Sequence, residues 1–144
     1  MSLPLVHHPG YTIELPPEHP FPMAKFRVLR RQLDVTPIRR VARWLEPEPV
    51  SAATLSLVHE RAYIDALFQG DLDAAAQRRS GFRWSPELVE RVRLETGGTL
   101  LTVETALASG LAVNTAGGTH HAHADFASGY CLVNDIAVAA ADVV

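Results

Sequence analysis

Three short apolar runs, Leu3 to His7, Val41 to Leu45 and Leu111 to Asn114, are separated by much longer stretches with helical periodicity. This alternation constrains the fold more than any other feature. Parallel strands need long crossover connections, and helices supply them. The expected class is therefore α/β with a mainly parallel sheet. A length of 144 residues fits one domain, and 47% apolar residues is enough for the core such a sheet requires.

The helices follow from spacing and punctuation. Leu15 to Pro22 holds four prolines and reads as a loop. A helix is expected from near Phe21 or Pro22, with Phe26, Leu29 and Leu33 on one face and Arg27, Arg30 and Arg31 facing out. Ser51 is a plausible N-cap for a helix through Leu55, Val58, Ala62 and Leu67, stopped by Gly70. That helix would set His59 and Tyr63 four residues apart on its surface. Asp71 to Trp84 has no sustained period and reads as a loop. Ser85-Pro86 opens a long helix marked by Leu88, Val92, Thr99, Val103 and Leu107, ending at Gly110. Gly97-Gly98 lies inside it, where each glycine costs about 1 kcal/mol relative to alanine. The pair therefore implies close packing against another backbone, or a bend. Leu132 to Val144 is apolar nearly all round, which predicts a helix buried on most sides.

Charge and composition exclude several classes. The net charge is −3 and the 13 basic residues are dispersed, so no concentrated basic face is available for nucleic acid. The densest basic stretch, Arg27 to Arg43, reads as a solvated face. One cysteine cannot form an internal disulfide. The N-terminus lacks the pattern of a signal peptide, and no apolar run is long enough for a membrane span. The expectation is a soluble, cytoplasmic protein.

The chemistry concentrates in AGGTHHAHADFASGYCLVND, Ala116 to Asp135, between the last strand and the last helix. A loop that follows a parallel strand is where α/β folds place their sites. Gly117-Gly118 permits a tight turn and close approach to a ligand. Of two adjacent imidazoles, one can take a proton from an attacking water while the other orients it or stays charged. A polar loop with solvated rings explains the pair as well. His121, His123 and Asp125 could converge on a metal only if the segment were extended. Cys131 reads as a small buried hydrophobe. Tyr63 and Trp84 read as packing residues, and His7, His8 and His59 as structural.

The stretch GGTHHAHADFASGYCLVNDIAVA resembles the GG-x-HHA…G-[FY]-C-x-x-NDIA signature of the histone deacetylase superfamily, which includes acetoin-utilisation proteins and acetylpolyamine amidohydrolases. Other segments resemble the same family in the same order: HHPGY at 7–11, EHPFPMAKF at 18–26, PVSAATLSLVHERAYIDAL at 49–67 and ETGGTLLTVETAL at 95–107. The second of these is closest to the class IV or bacterial branch.

The resemblance implies an arginase/deacetylase-like three-layer fold and zinc-dependent hydrolysis of acyl-amide bonds. The substrates it implies are an acyl-lysine protein or peptide, or an acetylated small amine of polyamine type. His121 matches the general base that later serves as acid, and His120 its electrostatic partner. Gly129 matches a glycine whose carbonyl accepts the substrate amide N–H. Tyr130 stands where the family usually has a tunnel-wall phenylalanine. Cys131 matches a near-site cysteine, and His19 falls in a segment near the family's inner channel.

The family's zinc ligands come from an Asp-x-His and a later Asp. No Asp-x-His occurs in this sequence. Residues 1–144 are therefore expected to be the N-terminal portion of a deacetylase-like domain, truncated before its metal strand and inactive alone. The apolar C-terminal helix would then meet either a missing C-terminal portion or an oligomer contact. The alternative is an inactive remnant acting as a binding or interaction module.

Overall fold

The computed structural model describes residues 2–144. Three parallel strands form one sheet: β1 (Leu3–Val6), β2 (Ala42–Leu45) and β3 (Val113–Asn114), in the order β2-β1-β3. Leu3 pairs with Ala42 and Leu5 with Val113. The central strand buries Leu5 and Val6, as a continuous apolar run in a covered parallel strand should. The fold is α/β, as the alternation predicted.

Among the described residues six α-helices connect or cover the strands: α1 (Lys25–Val35), α2 (Ala52–Leu55), α3 (Arg61–Gln69), α4 (Ala74–Ser80), α5 (Pro86–Ser109) and α6 (Asp135–Asp142). α5 packs against β1, β3 and α6. Its hydrophobic side joins Tyr11, Leu55, Ile64, Leu67, Leu88 and Val138 in the core. Among the described residues, no helix is long and apolar enough to cross a membrane.

Local chemistry explains most boundaries. The Ser51 and Ser85 hydroxyls accept from the N–H groups of Thr54 and Leu88, each at 3.1 Å. Gly70, Gly81 and Gly110 end their helices in the left-handed conformation. The Gly97-Gly98 pair marks close packing, and α5 runs unbroken through it. A methyl on Gly97 would land on the carbonyl oxygen of Glu48, and one on Gly98 on the Tyr11 hydroxyl.

Several sequence expectations need correction. The helix expected from Ser51 to Gly70 is two helices, because the chain turns between Leu55 and Arg61. His59 therefore precedes α3, although its ring still lies 5.9 Å from that of Tyr63. The loop expected over Asp71 to Trp84 contains α4, a polar helix with no apolar stripe. Asp73 caps it by accepting from Ala76 N–H at 2.7 Å. α1 begins at Lys25, and Leu29 on its expected apolar face is exposed. β1 ends at Val6 and the last strand shrinks to two residues. The C-terminal helix runs only from Asp135 to Asp142 and is buried on one side only: Val138 and Ala139 are covered, whereas Ile136 is exposed, as are Val143 and Val144 beyond its end.

Candidate active site

The strands deliver their C-terminal ends to one place. His7 follows β1 and Thr115 follows β3. The Thr115 hydroxyl donates to the Val6 carbonyl and lies 2.8 Å from His7 Nδ1. The polar loop leaves from this edge, beside the point where the sheet order switches from one side of β1 to the other. Ligand sites of open parallel sheets lie at such a point.

Little of the loop is regular. Gly117 and Gly118 both adopt positive φ, 77° and 76°, and turn the chain back over the start of α6. The Asp135 carboxylate there accepts from Gly118 N–H and Thr119 N–H, both at 2.8 Å, and from the hydroxyls of Thr119 and Thr99. Asp135 is almost wholly buried, and its negative charge suits the first turn of a helix. This carboxylate fixes the residues immediately before the two histidines.

The His120 and His121 rings stack with centroids 4.4 Å apart and planes 29° apart. Both residues are exposed. His121 lines a cavity of about 180 Å³ shared with Gly129, Tyr130 and Phe21. His120 does not line it. Gly129 passes so close that a methyl there would lie 3.8 Å from His121 Cγ. The tandem therefore presents one imidazole to the cavity and holds the second against it.

Gly129 and Tyr130 take consecutive left-handed conformations, φ 56° and 65°. Tyr130 is the one non-glycine residue with positive φ among the described residues. Such a conformation costs roughly 1–3 kcal/mol and persists where surroundings impose it. Here Tyr130 N–H donates to the Ser80 carbonyl at 3.0 Å. Its ring packs on Phe21 at 5.3 Å and Phe82 at 5.5 Å. His19 completes this aromatic group. It stacks on Phe82 at 5.4 Å, sits 6.1 Å from Tyr130 and lies within 2.9 Å of the Gly81 carbonyl through Nε2. His19 thus supports the wall without lining the cavity. Cys131 is buried. Its sulfur accepts from Ala122 N–H at 3.2 Å and donates to the Val133 carbonyl at 3.1 Å, a structural thiol.

Sequence reasoning missed the charged part of the cavity. Lys25, Arg91, Glu95 and Asp135 line it with the apolar walls. Arg91 is buried, donates to the Tyr11 carbonyl at 2.8 Å and pairs with Glu95 at 2.7 Å. Burial pushes the Glu95 carboxyl up to about 7. The Asp135 charge acts in the same direction, and Arg91 opposes it. The sequence signal was polar residues four apart on an otherwise apolar helix face, Arg91 and Glu95. For Asp135 it was a lone acid at the start of an apolar helix.

No three His, Cys, Asp or Glu side chains converge to hold a metal among the described residues. His123 turns to stack on Phe126 at 4.2 Å while His121 stacks on His120, so the His121-x-His123-x-Asp125 pattern gathers no donor set. The described residues do not fit a zinc.

Comparison with known proteins bears on the family and the fold. Residues 19–144 match the model of the histone deacetylase domain. An uncharacterized protein of Picosynechococcus sp. is 46% identical over 139 residues, covering 96% of this chain and 46% of that protein. Histone deacetylase 8 of Xenopus laevis is 31% identical over 105 residues, covering 66% of this chain and 32% of that protein. The crystal structure of the HDA15 HD domain superposes with a TM-score of 0.72 at 20% identity, over 96% of this chain and 42% of that one, which speaks to the fold. The chain spans less than half the length of these relatives. With its fold and its tandem-histidine loop, this chain belongs to the histone deacetylase domain family.

Proposed function

We propose that the protein acts as a zinc-dependent deacylase on acyl-lysine in a protein or peptide, or on an acetylated small amine. One observation carries the reading: His121 stands on the cavity wall with His120 stacked behind it and Gly129 in contact range. The zinc would be held by ligands that this chain does not contain. When bound, it would polarise the acyl carbonyl and acidify its water.

The chain's own residues have separate tasks. Tyr130, Phe21 and Phe26 enclose the aliphatic stem of the substrate. The cavity of about 180 Å³ would receive the acyl end of that substrate. The Gly129 carbonyl accepts the substrate amide N–H. His121 takes a proton from the attacking water and returns it to the departing amine, with His120 as electrostatic partner. In full-length protein supplied with zinc, His121→Ala should lower kcat on an acetyl-lysine peptide by at least about 100-fold. Full activity in that variant would remove His121 from the mechanism.

That no metal donor set gathers among the described residues favours a second reading: the 144-residue chain as a non-catalytic binding module. Metal analysis and a deacylase assay on this exact chain separate the two. Stoichiometric zinc with turnover would exclude the module.

A further inference from the structure

His59 belongs to none of the roles above, yet its ring is spent entirely on the active-site loop. It is 4% exposed. Nε2 accepts the backbone N–H of Asn134 at 3.1 Å, and Nδ1 lies 2.9 Å from the carbonyl oxygen of His123. An amide N–H can only donate, so Nε2 carries no proton and Nδ1–H donates to His123. The geometry admits one neutral tautomer. Burial holds the ring below its ordinary pKa, against the pull of the backbone carbonyls of His123 and Ala124.

The two atoms it joins bracket residues 123–134. This segment contains Gly129 and Tyr130 and has no helix, only the isolated Ser128–Cys131 bridge. Ordering such a stretch costs roughly 1–2 kcal/mol per residue in backbone entropy, so its shape depends on bonds from outside. The neighbours of His59 add two: Glu60 N–H donates to the Ala124 carbonyl at 2.8 Å, and the Tyr63 hydroxyl donates to the Leu132 carbonyl at 2.7 Å. His59 is the only one of the three that grips the segment at two points.

We infer that His59 is a positioning residue. Its two ring nitrogens fix both ends of the 123–134 segment and thereby hold Gly129 and Tyr130 beside His121. The kinetic consequence rests on the deacylase reading; the holding of the loop does not.

Two substitutions divide the bonds. His59→Asn keeps a donor near the Nδ1 position, and His59→Gln keeps an acceptor near the Nε2 position. NMR of the wild-type chain should show a His59 ring protonated at Nδ1 and bare at Nε2. Amide exchange of Asn134 should accelerate at least about tenfold in His59→Asn and change little in His59→Gln. In the full-length protein both variants should lose about tenfold in kcat/KM on an acetyl-lysine peptide, mainly in kcat, while remaining folded. A ring protonated at Nε2, equal Asn134 exchange in the two variants, or unchanged kcat/KM in both would overturn the assignment. Wild-type protein that turns over no acyl substrate would instead count against the deacylase reading, and the tautomer and exchange results would still decide the role of His59.

Discussion

The Asp135 carboxylate accepts from two backbone N–H groups and two hydroxyls, all in or against the loop that carries the histidines. Asp135→Asn puts an NH₂ group where an acceptor is needed and leaves at least one buried donor unpaired. A loss of about 2–3 kcal/mol is expected in urea unfolding, with no change in helix content. Glu95 makes a different prediction. Its carboxyl holds its proton more tightly in the folded chain, with a value near 7, than in the unfolded chain, where the ordinary value is 4.5. Its contribution to stability is therefore whole below 4.5 and is lost as pH rises through about 7. Glu95→Gln imitates the protonated form. Relative to wild type it should gain stability between about pH 5 and about pH 8, measured by urea titration across the range. His7 and His59 act with the opposite sign. Burial lowers both, so their contribution is whole above the ordinary histidine value of 6.5 and is lost as pH falls through their folded values.

At the scale of elements, α5 explains why glycine occurs in mid-helix. The Glu48 carbonyl and the Tyr11 hydroxyl occupy the space that side chains at 97 and 98 would need. Alanine at either position gains about 1 kcal/mol of helix propensity but forces these neighbours to move. A net loss of about 1–3 kcal/mol is expected for each single variant, read from thermal or urea melts. The sequence announced this helix by its Ser-Pro start, its period and its terminal glycine. α4 was hidden because Ala74 to Ser80 has no apolar stripe; its signals are the Asp73 cap, the helix-forming alanines and Gly81. The break between α2 and α3 was hidden for the opposite reason. Val58 and Ala62 continue a helical period across a turn, and tertiary bonds from His59 and Glu60 to the site loop accompany that turn. Within the site, the tandem histidines, Gly129, Tyr130 and Cys131 are contiguous in sequence and could be read there. Arg91, Glu95 and His59 reach the site from other elements, through contacts of long sequence separation that no local pattern encodes.

At the scale of the whole molecule, the three parallel strands and six α-helices of the described residues bring one loop, which carries the tandem histidines, to the C-terminal edge of the sheet. The family assignment rests on the match over residues 19–144. The hydrolytic reading rests on where His121 stands. The chain spans 46% of its Picosynechococcus relative, and its own side chains gather no metal donors among the described residues. The test therefore belongs to the full-length protein. The most direct measurement is acetyl-lysine peptide turnover by zinc-supplied full-length protein, wild type against His121→Ala, with folding of both checked by thermal melting. Turnover in the wild type that falls at least about 100-fold in the variant, at an unchanged melting temperature, is the expected result. Equal turnover in the two proteins would contradict the central claim that His121 handles the proton.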